Sequence, residues 1–275
     1  MSITPARLRA EDGIVGLLRP PNASLRAATR LWRRNMTLYR RSWHRNILPN
    51  FFEPLLYLVS IGLGLGLFIG EQILGVDYVV YIAPGLAAAA AMNGAVFEVT
   101  YNVYVKLRYY HLYDAVVTTP LEPEDVALGE LLWATTRSFI YGTAFLLVIA
   151  ALGYVRSPAA LLAPLAVVLI GGAFALIGMI VTTLMPGIDF FSYFFTLFIT
   201  PLFLFSGIFF PVEVLPAAAQ PIAWLTPLHH GVEIVRALLL TGEVRAVAGH
   251  ALWLAVFSAL LYAPAVNLFR RRLVV

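Results

Sequence analysis

The chain has 275 residues, of which 60% are apolar and only 12% charged, against roughly 45–50% and about 25% in an ordinary soluble domain. That composition excludes a water-soluble fold, and the absence of cysteine excludes disulfides, iron–sulfur ligation, thiolate zinc sites and a cysteine nucleophile. The formal net charge is only +4, yet it is polarised, because ten of the nineteen cations are arginines within the first 45 residues.

No short apolar core of a cleavable signal peptide precedes residue 48, where the apolar run is already long enough to span, so the first span is expected to be retained. Just before it, Leu25, Ala28, Trp32, Met36, Tyr39 and Trp43 recur at spacings of three and four, while Arg26, Arg30, Arg33, Arg34, Arg40 and Arg41 occupy most other directions. This pattern predicts an amphipathic helix lying in the membrane interface, with arginines among anionic headgroups and tryptophans at the acyl boundary. Such a helix serves either as a topology anchor or as a lever joining a cytosolic partner to the first span.

Apolar runs of spanning length predict six transmembrane helices near 51–70, 78–100, 131–153, 159–184, 191–210 and 249–269. One set of connections holds the ten early arginines, Lys106, Arg108, Arg137 and Arg270 to Arg272, whereas the alternate set holds only Arg156, Arg236 and Arg245. The cation excess therefore predicts both termini and the 101–130 loop in the cytosol, with 71–77, 154–158 and 211–248 outside. On this reading the chain divides into a cytosolic arm, 1–47, and a single six-span domain, 48–275, all α-helical. The sequons at Asn22 and Asn35 fall on the cytosolic side and are expected to be unused. No inverted repeat of the kind common in secondary transporters is visible.

Three further segments stand out. The 101–130 loop carries Tyr104, Lys106, Arg108, Tyr109, Tyr110, His111 and Tyr113, a density of tyrosine that reads as a docking face. Pro120 and Pro123 then break it into two short helices, the second starting at Pro123-Glu124-Asp125 where acids complement the dipole. Between Pro211 and Gly231, Pro211, Pro216, Pro221 and Pro227 interrupt an apolar stretch with Trp224, which is too broken to span and too apolar to float. A pair of re-entrant half-helices is the expected solution. Finally, Glu53, Glu98, Arg137, His229, His230, Glu233 and Arg236 lie at or near membrane depth, where each must face protein or water. Glu98 reads as a pathway group or as the structural partner of Arg137.

The remaining chemistry is mostly exclusion. His230 and Glu233 share helical spacing, but no second such pair exists, so no metal site is expected. There is no G-x-S-x-G elbow. A Walker phosphate loop is impossible because the only lysine, Lys106, follows Val105. Work done by this chain must draw its energy from elsewhere.

Taken in order, the basic amphipathic arm, two spans, a loop ending Gly129-Glu130-Leu131-Leu132-Trp133-Ala134, two more spans, and then Phe205-Ser206-Gly207-Ile208-Phe209-Phe210-Pro211, Leu215-Pro216, Trp224-Leu225-Thr226-Pro227-Leu228 and Val232-Glu233-Ile234-Val235-Arg236 resemble the transmembrane subunit of an ABC-2 type exporter. The resemblance covers nearly the whole chain from about residue 25. It is nearest the nodulation-factor (lipo-oligosaccharide) export permeases, with daunorubicin-type drug and polysaccharide export permeases as relatives. It implies a dimer of this chain with two copies of a separate ATP-binding subunit, which holds ATP and magnesium, so that no cofactor and no catalytic residue belong to this chain. Nucleic acid is not an expected partner; membrane lipid is.

The resemblance also implies residue roles. The ATPase would dock on the interfacial helix (Trp32, Arg33, Arg34, Arg40, Arg41, Trp43) and on a coupling helix within Lys106–Thr118, with Lys106, Arg108, Tyr109, Tyr110, His111, Tyr113 and Asp114 as contacts. Pro211, Pro216, Trp224, Pro227, Glu233 and Arg236 would belong to an external gate. Glu98, Phe194, Phe198, Phe209 and Phe210 are pathway candidates, the span-five aromatics suited either to sliding an amphiphile or to facing lipid. Gly62, Gly66 and Gly70 form small-x-x-x-small steps for close helix contact. The expected location is the bacterial cytoplasmic membrane. Two other classes of function fit the composition: a membrane-embedded lipid-modifying enzyme, and an ATP-independent pore or scaffold.

Overall fold

A backbone surrounded by hydrocarbon must satisfy its polar groups internally, and helices do so within one segment. The computed structural model describes residues 14–65, 73, 75–116 and 119–274, with side chains for all of these except 14, 15, 44–51, 53, 63 and 65. Among the described residues there is no strand. After one helical turn at Ile14–Leu17, the elements are α1 (Leu25–Tyr57), α2 (Tyr78–Arg108), α3 (Leu112–Val116), α4 (Pro123–Ala151), α5 (Ala163–Leu184, preceded by a 3-10 turn at Pro158–Leu162), α6 (Phe190–Phe205), α7 (Gln220–Trp224), α8 (Pro227–Arg236) and α9 (Val244–Val274). Wider π-helical turns extend α1 over Leu58–Leu65 and α8 over Ala237–Thr241, and interrupt α2 at Glu98–Asn102 and α6 at Phe195–Ile199.

Among the described residues, four helices are long and apolar enough to cross a membrane: Tyr78–Arg108, Pro123–Ala151, Pro158–Leu184 and Val244–Val274. Phe190–Phe205 is apolar but shorter. The predicted first span is continuous with the amphipathic arm through α1, bent at Ser42, whose φ is −129°, and its end at 66–70 lies outside the described residues, as do Gly66, Gly70 and Thr118. The side chain of Glu53 is likewise outside them. The 101–130 segment is less loop than the sequence predicts. The helix of span two runs on to Arg108, and α4 starts at Pro123 instead of near 131. Its start is fixed by a capping box in which Glu122 and Asp125 satisfy each other's backbone N–H groups.

α2 is the hub. Its alanine run, Ala87 to Ala91, is fully enclosed, and small residues let neighbouring backbones approach it closely. A Cβ on Gly94 would lie 2.6 Å from a ring carbon of Tyr141 and 3.1 Å from the Arg137 carbonyl; one on Gly142 would lie 2.6 Å from Val167; one on Gly62, 2.6 Å from Val79; and one on Gly178 would run into the Val99 side chain. Large leucines on the outer helices point the other way, with Leu147, Leu161, Leu197 and Leu260 exposed.

The arm packs on protein as well as offering a surface. Its enclosed stripe is Ala28, Leu31, Asn35 and Tyr39, which lies on α4: a Cβ on Gly129 would come within 2.9 Å of the Ala28 carbonyl, Trp32 Nε1 donates to Thr136 Oγ1 at 2.9 Å, and the Tyr39 and Trp133 rings meet edge-on at 5.5 Å. Leu25 and Trp43, which the sequence assigns to the apolar stripe, are exposed. The buried face turns toward Asn35 because α4 presents Glu130 there, and a buried carboxylate needs a donor.

Both chain ends meet at one end of the bundle. Asn267 Nδ2 donates to the Leu17 and Arg19 carbonyls at 2.9 and 2.8 Å, Ser24 N–H to Asp125 Oδ1 at 2.6 Å, and Glu124 receives both Asn22 N–H and Arg270, the latter at 3.2 Å. At the opposite end, the Arg156 and Ser157 N–H groups both donate to the Leu239 carbonyl, at 2.8 and 3.1 Å. Overfilling the hub should be costly: Gly94→Val is expected to destabilise the purified protein by about 1–3 kcal/mol, measured as a lowered midpoint of thermal unfolding in detergent. Gly64→Ala, where no atom lies within 4 Å of the new Cβ, should leave the midpoint unchanged.

Candidate coupling and gate sites

Ionic side chains gather in clusters within the apolar bundle, and two of these contain the motif residues, one toward each end. The first is built around Glu130 on α4, which is fully enclosed. Glu130 accepts from one side chain on each of three other elements: Asn35 Nδ2 of α1 at 3.0 Å, Lys106 Nζ of α2 at 2.8 Å and Tyr113 Oη of α3 at 2.9 Å. Lys106 also reaches Glu98 at 3.3 Å, and the other oxygen of Glu98 pairs with Arg137 at 3.1 Å and accepts from Asn102 at 2.6 Å. Two carboxylates thus face two cations, with Arg137 sandwiched between the Tyr39 and Tyr141 rings at 5.0 Å from each. Burial beside Glu130 pushes the Tyr113 hydroxyl well above its ordinary pKa, so it stays protonated and donates. The π-helical turn at Glu98–Asn102 places Glu98 and Asn102 on one side of α2, the kind of irregularity often retained at functional positions.

Around this cluster, the loop residues separate into two sets. Lys106 and Tyr113 point inward and are held, whereas Arg108, Tyr109, Tyr110, His111 and Asp114 are exposed, Tyr110 at 74%. His111 has a positive φ of 47° and lies 3.0 Å from Asp114. On the arm, Arg33, Arg34, Arg40, Arg41 and Trp43 are exposed and Trp32 is half-buried. One end of the bundle therefore shows a free face of tyrosines and arginines mounted directly on a buried ionic cluster.

The second cluster pins α8. Arg236 is buried, donates from Nη2 to the Gly207 carbonyl at 2.5 Å, pairs through Nη1 with Glu233 at 2.5 Å, and lies over the Tyr81 ring at 4.2 Å. Gly207 has a φ of +84°, a conformation that turns its carbonyl into the bundle and that other residues rarely adopt. The Tyr78 and Tyr81 hydroxyls donate to the Phe209 and Gly207 carbonyls at 3.1 and 3.3 Å. A Cβ on Gly85 would lie 3.0 Å from Ile208. The Ser-Gly-x-Phe-Phe-Pro run and the Glu-x-x-Arg pair are thus two halves of one contact. Pro227 starts α8, with Thr226 Oγ1 accepting from His229 N–H at 3.3 Å, and α8 is buried, whereas Pro216, Ile222 and Trp224 before it are exposed and Pro211 is half-buried.

Between the clusters lies a cleft of about 130 Å³ lined by Tyr57, Met92, Asn93, Phe97, Phe195 and Thr200, among others. Phe97 stacks on Phe195 at 4.7 Å. Of the pathway candidates, Phe194 and Phe198 stack on each other at 5.4 Å beside it, Phe209 meets Phe203 edge-on at 5.2 Å, and Phe210 is half-buried. Glu98 faces the ionic cluster instead. Asn93, Phe97 and Thr200 were not legible as cleft residues, because a single polar side chain within an apolar helix carries no direction until its neighbours are known. Among the described residues no group of three or more His, Asp or Glu could hold a metal ion.

Glu130→Ala, which leaves Lys106 under-compensated and strands Asn35 and Tyr113, is expected to cost about 3–5 kcal/mol. Glu130→Gln, which keeps an acceptor, should cost less. Denaturation of the purified variants checks both, and a loss for Glu130→Ala under about 1 kcal/mol would contradict a structural role for the cluster.

Residues 26–240 match the ABC-2 type transporter family. The chain is 37% identical over 243 residues to nodulation protein J of Sinorhizobium fredii, covering 88% of this chain and 92% of that one. It is 36% identical to nodulation protein J of Rhizobium leguminosarum bv. viciae over 88% and 93% of the two chains, and 34% identical to that of Bradyrhizobium diazoefficiens over 96% and 99%. With its apolar helices, its paired motifs and a family match spanning both polar clusters, the chain belongs to the ABC-2 type transporter family, as a membrane permease.

Proposed function

We propose that this chain is the membrane subunit of an ATP-driven exporter, working as a pair with a second copy of itself and two copies of a separate ATPase that binds ATP and magnesium. The observation that carries the reading is the mounting of the exposed tyrosine and arginine face on the Glu130 cluster. A push on Tyr109, Tyr110 or the arm reaches α1, α2, α3 and α4 through one buried carboxylate. An isolated pore or enzyme has no use for such a mechanical junction. In this reading the chain sits in the inner membrane of a bacterium with six spans, and the arginine-rich end is cytosolic because cations concentrate there. ATP-driven closure of the partner tilts α1 and α2 against α6 and opens the cleft at Asn93 and Phe195, while α8 and the 211–225 segment act as the outer gate.

In this reading the substrate is an amphiphile: a lipo-oligosaccharide, a glycolipid or a hydrophobic drug. The aromatic walls of the cleft with their isolated polar groups support that class. Chemistry on the substrate is not part of the role.

The test is a pull-down of the tagged chain from detergent with an ATPase assay on what co-purifies. A soluble phosphate-loop ATPase in equal stoichiometry is expected, and a pure chain that turns over a lipid by itself would overturn the reading. Interface anchors of this type are each worth about 2 kcal/mol or more. Tyr109→Ala with Tyr110→Ala is therefore expected to leave the protein inserted but to abolish stimulation of transport by ATP in proteoliposomes. Undiminished transport would move the docking face elsewhere.

A further inference from the structure

At the end of the bundle opposite the arginine-rich arm, three imidazoles come together from two helices. His229 and His230 lie on α8 and His250 on α9. His230 is 1% exposed, and its Nδ1 is 2.7 Å from Nδ1 of His250. Its ring stacks on Trp253 at 4.1 Å and 23° and meets Trp224 edge-on at 5.0 Å, while Trp253 stacks on Phe257 at 5.0 Å. His229 is turned away, with Nδ1 3.3 Å from the Ser206 carbonyl. The sequence scattered these residues; only the fold brings His250 against the other two.

An Nδ1 to Nδ1 contact has a particular proton requirement. With both rings neutral, one Nδ1 carries a hydrogen and donates it to the lone pair of the other. One added proton on the pair is compatible with the same contact, because one lone pair remains. A second added proton places N–H against N–H and two like charges in direct contact, which the geometry cannot hold. The groups around the pair do not offset this. From α8 come His229, whose ring adds a further basic group, Glu233, already bound to Arg236, and Arg236 itself. From α9 come Trp253 and, more than a turn before His250, Arg245, with Glu243 just ahead of the helix. The segment before α7 carries Glu213, α7 contributes Trp224, and α2 contributes Tyr81 beneath Arg236. No carboxylate is hydrogen-bonded to His230 or His250 among the described residues. Burial and the two neighbouring imidazoles hold the His230 pKa below its ordinary value, so a proton reaches that ring only as pH falls.

We propose that His230 and His250 form a proton-operated latch between α8 and α9, closed with the pair neutral or singly protonated and opened by the second proton. The opposite end of α8 stays pinned, because the Arg236 guanidinium is held by the Gly207 carbonyl and the Tyr81 ring as well as by Glu233. Release therefore swings the Trp224–His230 end about Arg236. The latch stands on the contact geometry alone; only its use, an outer gate sensing external acidity, rests on the exporter reading above.

Hydrogen–deuterium exchange on the purified full chain in lipid nanodiscs, without ATPase or substrate, tests it separately from that reading. Exchange is followed from pH 8 to pH 4 and corrected for the intrinsic pH dependence of the chemistry. In the wild type, protection of the α8 amides is expected to fall at least about tenfold on acidification, more steeply than a single titration, while α5 stays protected. His250→Gln and, independently, His230→Gln replace a titrating ring with an amide that still hydrogen-bonds, and each should flatten the profile. Constant α8 protection in the wild type would overturn the latch. So would an acid-induced loss that persists unchanged in both variants, provided α5 protection shows that they fold.

Discussion

A carboxylate enclosed in an apolar bundle has to be answered by charge or by donors, and in this protein Glu130 is answered from every direction at once. Four helical segments that the chain makes at different times, α1, α2, α3 and α4, are tied by one side chain. Replacing such a cluster with hydrocarbon would often be neutral or stabilising, since desolvation offsets most of the attraction. Its presence is therefore better understood as fixing a geometry than as supplying stability. The arm lies where Asn35 can reach Glu130, α3 lies where Tyr113 can, and α2 is irregular where Glu98 must meet both Lys106 and Arg137.

The second cluster obeys the same logic with fewer charges. Arg236 answers a backbone carbonyl that Gly207 turns inward, and Glu233 balances the guanidinium. Here the held element is α8, a helix of ten residues, too short to cross a bilayer and buried except at Glu233. Two polar joints toward opposite ends, joined by the tightly packed α2, leave the cleft at Asn93 and Phe195 between them.

The aromatic residues divide along the same lines. Tyr39 and Tyr141 stack on Arg137 and Tyr81 on Arg236, so their rings serve the joints. Phe97, Phe195 and Phe194 form the cleft wall or its flank. Tyr109 and Tyr110 are exposed to solvent. One residue type thus does three different jobs, and only position relative to the joints tells them apart.

The sequence by itself determined the helical class, the polarised charge, the amphipathic arm, the start of α4 at its proline and acids, and the family, because composition, periodicity and the Ser-Gly-x-Phe-Phe-Pro and Glu-x-x-Arg motifs are local properties. It also raised the pairing of Glu98 with Arg137 without deciding it. Tertiary structure alone decided which face of the arm is enclosed, that Lys106 and Tyr113 turn inward while Tyr109 and Tyr110 do not, and that His250 lies against His230. These depend on contacts between residues tens to more than a hundred positions apart. A helix shows from its own sequence which residues share a side, but which side meets a partner is set by the partner, and a buried charge turns toward wherever the fold has placed its counter-charge.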